Sequence, residues 1–235
     1  MTQDTPCWAV IPAAGSSRRM GGDTPKQLLK ISGKTILSYV LEVLATEPMI
    51  KGVVLVGPEK QLPDDIRDAY QDKPILTVEG GKERCYSVMN GLLRLSEEIP
   101  DDNWVLVHDA ARPCLRRTDL RRLIETISDH EAGGLLGVPA LDTMKQCSDH
   151  QIIRTTVDRS HLWHAQTPQM FKLGVLTHAL SSAVERGIEV TDEASAMESA
   201  GYHPLMVEGH TDNIKITRPD DLALAKYYLQ QQGRL

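Results

Sequence analysis

The chain has 235 residues, of which 41% are hydrophobic and 25% are charged, which is enough to bury one sizeable core. One α/β domain spanning residues 1–235 is therefore expected rather than two small ones. The net charge of −6 argues against a general nucleic-acid binder or a membrane-surface protein, and no apolar run approaches the length of a membrane span. Four cysteines without a Cys-x-x-Cys spacing, and a start without the basic region of a signal peptide, predict a cytoplasmic protein.

The first apolar run, residues 7–11, is typical of a short buried strand, and Pro12 ends it. The loop that follows is rich in alanine, glycine and serine. Such a loop lets a ligand approach the backbone, whose N–H groups can then bind phosphate oxygens. Arg18, Arg19 and Lys26 add positive charge, and the combination favours a polyphosphate ligand over a solvated turn. The spacing excludes both a P-loop and a dinucleotide-binding glycine motif.

Strand and helix patterns alternate along the rest of the chain. Continuous apolar runs predict strands, at residues 53–56, 75–78, 104–107 and 205–207. Helical spacing or helix-end residues predict helices, at residues 35–46, 64–70, 83–95, 118–127, 175–186 and 192–200, and after Pro219. Thr118 is expected to cap its helix. This alternation predicts a mostly parallel sheet that is flanked by helices.

Three polar segments follow predicted strands, at residues 13–26, 80–87 and 108–112. Because the carboxyl ends of parallel strands lie at one edge of a sheet, we expect these segments to converge on one ligand site. Asp109 ends a buried strand, where a carboxylate can bind Mg²⁺ or substrate hydroxyls or can cap a turn. Asp212 is a second candidate metal ligand.

The pattern changes in residues 139–170, where two extended segments, 143–147 and 151–157, flank a short polar turn. The excursion is too long for a plain connection, so the sequence predicts a β-hairpin arm that protrudes from the core. A lone hairpin is at best marginally stable in water. This favours packing of the arm against another subunit of a twofold homodimer.

Short motifs recur in a fixed order along nearly the whole chain. They lie at residues 12–20, 25–27, 80–87, 107–113, 142–145, 156–159, 163–169, 191–194 and 212–215. The first of them fits many nucleotidyltransferases, whereas the whole set resembles the 2-C-methyl-D-erythritol 4-phosphate cytidylyltransferase family of the non-mevalonate isoprenoid pathway. Ser17 departs from the pattern, because the family usually has a glycine there. A positive φ at this position would cost serine about 1 kcal/mol.

The resemblance implies a single Rossmann-like nucleotidyltransferase domain that transfers CMP from CTP to 2-C-methyl-D-erythritol 4-phosphate. The products would be 4-diphosphocytidyl-2-C-methyl-D-erythritol and pyrophosphate, with Mg²⁺ as cofactor. The acceptor phosphate is mostly dianionic near neutral pH, so the site needs cations more than a general base. The closest alternative is a related CTP- or UTP-dependent transferase for another alcohol or sugar phosphate. A glycosyltransferase would be expected to carry a D-x-D motif, and the cations argue against a non-catalytic nucleotide sensor.

The resemblance also implies roles for individual residues. Arg19 and Lys26 match a catalytic pair that stabilises transition-state charge on the α-phosphate and the leaving pyrophosphate. Arg159 and Lys215 match residues that grip the acceptor phosphate. Thr143 and Arg159 are expected to reach the active site of a partner subunit. The remaining matched positions are expected to bind substrate, and they are Ala13, Ala14, Gly15, Gly81, Ser87, Asp109, Ala110, Arg112, Thr167 and Thr191.

Overall fold

The structure is a computed structural model that describes residues 5–15, 24–57 and 73–235. Ser17, Arg19 and the helix predicted at residues 64–70 lie outside these ranges. The other predicted strands and helices all fall within them.

Most of the strands form one sheet. The strands of the described residues are β1 (Cys7–Pro12), β2 (Lys30–Ile31), β3 (Lys34–Thr35), β4 (Ile50–Val56), β5 (Ile75–Val78), β6 (Trp104–Val107), β7 (Gly134–Pro139), β8 (Met144–Cys147), β9 (Ile153–Val157), β10 (Trp163–Lys172) and β11 (Leu205–Glu208). Seven of them form the central sheet, in the order β11-β7-β10-β6-β1-β4-β5. Neighbours pair in parallel except β10, which runs antiparallel to both β6 and β7. The prediction of a mostly parallel sheet is confirmed.

Helices cover both faces of this sheet. They are α1 (Ile36–Ala45), α2 (Arg84–Ser96), α3 (Arg117–Ile127), α4 (Leu173–Glu185), α5 (Glu193–Ser199) and α6 (Asp220–Gln231). Alternate residues of β1 point to opposite faces. Ala9 and Ile11 belong to the core cluster of α1 and α3, whereas Val10 belongs to that of α2, α4 and α5. None of the described helices has the length and apolar character needed to cross a membrane.

Local sequence explains how some helices begin. Asp192 and Ser195 form a capping box at the start of α5, where each side chain accepts a backbone N–H. The predicted cap of α3 is wrong. The helix begins at Arg117, two residues earlier than a cap at Thr118 requires, so Thr118 lies inside its first turn, and no side-chain bond caps the helix.

The predicted β-hairpin arm is present, but it is shorter than residues 139–170. Strands β8 and β9 pair antiparallel and lie outside the central sheet. The excursion leaves the sheet after Pro139 and returns at Trp163, and these two residues are register partners on β7 and β10. Residues 163–170, which the sequence assigned to the arm, belong to β10 in the middle of the sheet. Below, the arm means residues 140–162.

Candidate active site

A cavity of about 560 Å³ lies at the carboxyl edge of β1 and β6. Its walls come from the three polar segments that were expected to converge, together with part of the segment that follows β11. The predicted site residues that line it are Ala13, Ala14, Gly15, Lys26, Gly81, Ser87, Asp109, Ala110 and Lys215. The topology therefore brings together residues that are far apart in the sequence.

Small residues let two of these segments approach each other closely. A Cβ atom on Gly80 would overlap the Ala14 side chain, so only glycine fits there. The Gly81 N–H donates to Ser87 Oγ at 3.0 Å, and the Ser87 hydroxyl donates to the Glu83 carbonyl at 3.1 Å. The Ser87 hydroxyl therefore shapes the turn before α2 in addition to facing the cavity.

Lys26 reaches the cavity from a short 3₁₀ helix, Lys26–Leu28. Its Nζ donates to the Ile216 carbonyl at 3.2 Å. The Gln27 side chain, which is buried, donates to the Ala13 carbonyl. The Gln27 bond fixes the far end of the first loop against its start, and the Lys26 bond holds the ammonium group at the cavity wall beside Ile216.

A second cavity, of about 200 Å³, adjoins the first. Both cavities are lined by Arg84, Asp109 and Lys215. The other predicted site residues in the second cavity are Arg112, Thr167 and Thr191. The structure thus divides these predicted site residues between two neighbouring cavities with shared walls.

A cluster of charged side chains lies where the two cavities meet. The Asp109 carboxylate accepts from Arg84 Nε at 3.0 Å and from Lys215 Nζ at 2.9 Å. Arg112 Nε lies 3.5 Å from the same carboxylate. Arg84 also binds Glu193 through both terminal nitrogens, at 2.6 and 3.1 Å. Burial alone would raise the pKa of Asp109, but the three cations around it hold that pKa well below its usual range, so the group is ionised at neutral pH.

A buried histidine supports this cluster from behind. The Asp109 N–H donates to Thr167 Oγ1 at 3.1 Å, and this hydroxyl lies 2.9 Å from His108 Nδ1. Burial lowers the pKa of His108 to about 4, so the imidazole is neutral near pH 7. His108 Nε2 lies 3.2 Å from the Arg112 carbonyl, which can only accept, so Nε2 donates and Nδ1 accepts from Thr167. The Thr167 hydroxyl, expected to contact substrate, is therefore engaged by two protein groups.

Asp212, the second candidate metal ligand, is 5% exposed and lines neither of the two cavities described above. Its Oδ2 accepts from Arg116 Nε at 2.9 Å and from Gln232 Nε2 at 3.1 Å. The next residue, Asn213, receives a hydrogen bond from Arg112 at its carbonyl, at 2.7 Å. Asp212 thus anchors the segment that leads to the site, and the structure does not place it in a cavity with Asp109.

Thr143 and Arg159 lie on the arm, and both are exposed. Within the described part of the chain, neither residue lines either cavity. One chain alone therefore does not bring these two predicted substrate residues to the site.

Arg84 and Glu193 were not predicted as site residues from the sequence. These residues begin α2 and α5, and 109 positions separate them. In the sequence each is typical of a solvent-exposed helix start. Two signals were usable: Arg84 lies in the segment 80–87, which was expected to converge on the site, and Glu193 lies in the matched motif 191–194.

Two adjoining cavities that share cationic side chains suit a protein that joins a nucleotide to a second anion. Above a mostly parallel α/β sheet, they define an enzyme class, the nucleotidyltransferases. The sequence profile of the 2-C-methyl-D-erythritol 4-phosphate cytidylyltransferase family matches residues 7–231. The chain belongs to this family.

Known relatives resemble the chain over nearly its whole length. The 2-C-methyl-D-erythritol 4-phosphate cytidylyltransferase of Vibrio vulnificus is 51% identical over 225 residues, which cover 95% of this chain and 94% of the relative. The Pseudomonas aeruginosa protein of the same name is 48% identical over 223 residues, which cover 94% of this chain and 95% of the relative. The crystal structure of the Francisella tularensis protein of that name has a TM-score of 0.82 at 37% identity and covers 95% of this chain and 100% of its own.

Proposed function

We propose that this enzyme transfers the CMP group of CTP to 2-C-methyl-D-erythritol 4-phosphate and releases pyrophosphate, as a step in isoprenoid precursor biosynthesis. Membership of the family supports this reaction. The structural observation that carries the proposal is the junction of a cavity of about 560 Å³ with one of about 200 Å³ through Arg84, Asp109 and Lys215. The larger cavity suits the nucleoside triphosphate, and the smaller one suits the acceptor.

The chemistry follows from charge. The site must bring two anions together in line and neutralise the charge that develops at the α-phosphorus. A phosphate monoester has a second pKa of about 6, so the acceptor is mostly dianionic at neutral pH and needs no general base. Lys26, with Arg19, stabilises the α-phosphate and the leaving pyrophosphate. Lys215 and Arg112, at the junction, hold the acceptor phosphate.

Small residues place the two substrates. The backbone of residues 13–15 and of Gly81 frames the cytosine and ribose, because small side chains let a ligand approach closely. Ser87 and Ala110 complete the walls of this cavity. In the acceptor cavity Thr191 and the carboxylate of Asp109 face the polyol, and Thr167 holds the wall behind them.

Mg²⁺ is the divalent ion that we propose for the reaction, because nucleotide phosphates bind hard, oxygen-seeking cations. Among the residues that the structure describes, no three His, Cys, Asp or Glu side chains are grouped to hold a metal ion. Asp109 and Asp212 are both neutralised by cationic side chains and do not share a cavity. These residues do not fit a resident metal site, so the proposal is that the ion enters with CTP.

We also propose a cytoplasmic homodimer in which the arm of each subunit completes the acceptor site of its partner. Large apolar side chains of the arm and its base are 37 to 74% exposed, and they are Leu141, Met144, Ile152, Ile153 and Trp163. Such a surface favours a protein partner, and twofold symmetry gives both arms equivalent positions. Thr143 and Arg159 would then reach the partner's cavity. Four free cysteines, one of them exposed, fit a reducing compartment.

An assay of pyrophosphate release tests the reaction. CTP and UTP are each offered with 2-C-methyl-D-erythritol 4-phosphate and with sugar phosphates, and the fastest release is expected from CTP with the methylerythritol phosphate. Preference for a sugar phosphate would contradict the proposed acceptor. Excess EDTA should abolish turnover and added Mg²⁺ should restore it, whereas full activity in EDTA would contradict the proposed metal requirement.

A further inference from the structure

Arg84 binds both sides of the junction between the two cavities. Its Nε donates to Asp109, and its two terminal nitrogens donate to the two oxygens of Glu193. The Arg84 side chain is 29% exposed, but its carboxylate partners are only 8% and 1% exposed. A planar guanidinium with paired hydrogen bonds has little orientational freedom. Two buried carboxylates therefore fix its position.

Glu193 is itself held firmly. It is the first residue of α5, and the start of this helix is tied to β10. Gln169 Nε2 donates to Asp192 Oδ2 at 2.9 Å, and the Ala194 N–H donates to Gln169 Oε1 at 2.8 Å. The pair formed by Arg84 and Glu193 thus joins the start of α2, beside the nucleotide cavity, to the start of α5, beside the acceptor cavity.

The two oxygens of Asp109 have different partners. Oδ1 accepts from Arg84, whereas Oδ2 accepts from Lys215 at 2.9 Å and lies 3.5 Å from Arg112. A dianionic acceptor phosphate carries more charge than a carboxylate and competes with Oδ2 for these cations. If Asp109 followed the departing cations, it would repel the phosphate. The bond to Arg84 through Oδ1 holds the carboxylate back.

We propose that Arg84 is a positioning residue for cytidylyl transfer. Clamped by Glu193, it fixes Asp109 through Oδ1, so that Lys215 and Arg112 can pass from Oδ2 to the acceptor phosphate. The inference rests on the proposed function and adds to it a residue that sets the geometry of the acceptor site. It follows that loss of Arg84 should change the KM for the acceptor more than the KM for CTP.

The experiment separates positioning from folding. Arg84→Met alone leaves Glu193 buried without its charged partner, so this variant can lose stability for an unrelated reason. The double variant Arg84→Met/Glu193→Gln removes both charges and is expected to keep a Tm close to that of the wild type. The matched control is Arg94→Met on the same helix, where Arg94 forms ion pairs on the exposed face, with Glu97 and Glu98.

Steady-state kinetics are measured with each substrate varied in turn. In the double variant we expect the KM for 2-C-methyl-D-erythritol 4-phosphate to rise about tenfold or more and the KM for CTP to change less than about twofold. Arg94→Met should match the wild type. A double variant with wild-type Tm and wild-type acceptor KM would overturn the inference, and so would equal losses for both substrates.

A second variant tests the same inference in case the double variant does not fold. Arg84→Lys keeps a positive charge but cannot bridge two carboxylates with a planar fork, so its acceptor KM should also rise about tenfold. A wild-type acceptor KM in Arg84→Lys would overturn the inference. The wild-type protein in the same assay reports on the proposed function separately, because that function fails if the wild type releases no pyrophosphate from these substrates.

Discussion

The Thr167 hydroxyl offers a direct test of the network behind the active site. Thr167 is 4% exposed and joins the Asp109 N–H to His108 Nδ1. Thr167→Val keeps the shape of the side chain and deletes both bonds, which leaves a buried N–H and a buried ring nitrogen without partners. Each such group costs about 1–3 kcal/mol. We therefore expect the free energy of unfolding to fall by about 2–6 kcal/mol.

Urea denaturation and thermal melting measure this loss. In a chain of this size about 1 kcal/mol shifts the Tm by about 2–4 °C, so the Tm of Thr167→Val should fall by roughly 4–24 °C. The matched control is Thr177→Val, because the Thr177 hydroxyl donates to the Leu173 carbonyl within its own helix, at 2.7 Å. It should lose less than about 1 kcal/mol. An unchanged Tm for Thr167→Val, with only a raised acceptor KM, would show that the hydroxyl serves the substrate and not the network.

Three further predictions concern charge and assembly. The folded pKa of His108, about 4, lies below the unfolded value of 6.5, so the unfolded state binds more protons between these values and stability should fall by about 3 kcal/mol between about pH 7 and pH 4. Chemical denaturation across this pH range should show that His108→Gln loses less unfolding free energy than the wild type. If the unfolding free energy of both proteins depended equally on pH, the lowered pKa of His108 would be refuted. Lys26→Ala should lower kcat about a hundredfold at unchanged Tm, whereas a raised KM for CTP alone would make Lys26 a binding residue. Mixing Arg159→Ala chains with Lys26→Ala chains should restore activity, because mixed dimers would hold one intact site; no recovery after confirmed subunit exchange would mean that each arm serves its own chain.

The α/β architecture could be predicted because parallel strands buried on both faces are continuous apolar runs, as in residues 53–56 and 104–107. The central place of β10 in the sheet could not be predicted. This strand contains Pro168, and proline argues against a central strand. In the structure, the pairing of β10 with β7 shifts in register between Ala165 and Gln169, so the proline lies at a bulge. The missed strand β7 contains two glycines, which weaken a strand pattern.

The site was predictable as far as topology determined it. Loops after parallel strands must meet at one edge, so residues 13–15, 80–87 and 108–112 could be grouped from the sequence. Pairs that form across the fold leave no local pattern, and the ion pair of Arg84 with Glu193 is one example. The role of Asp212 was equally hidden, because a carboxylate has the same sequence signature whether it faces a metal or an arginine.

The two ends of the arm meet in the sheet. Pro139 and Trp163 are register partners, and beside them the Ala140 N–H donates to the Leu162 carbonyl at 2.9 Å. A segment whose ends already touch behaves as a self-contained module, since each doubling of its length changes the closure free energy by only about 0.6 kcal/mol. The arm can lengthen, shorten or be exchanged for a tight turn while β7 and β10 keep their register. Selection can therefore change the arm without disturbing the sheet edge that carries the cavities of this enzyme.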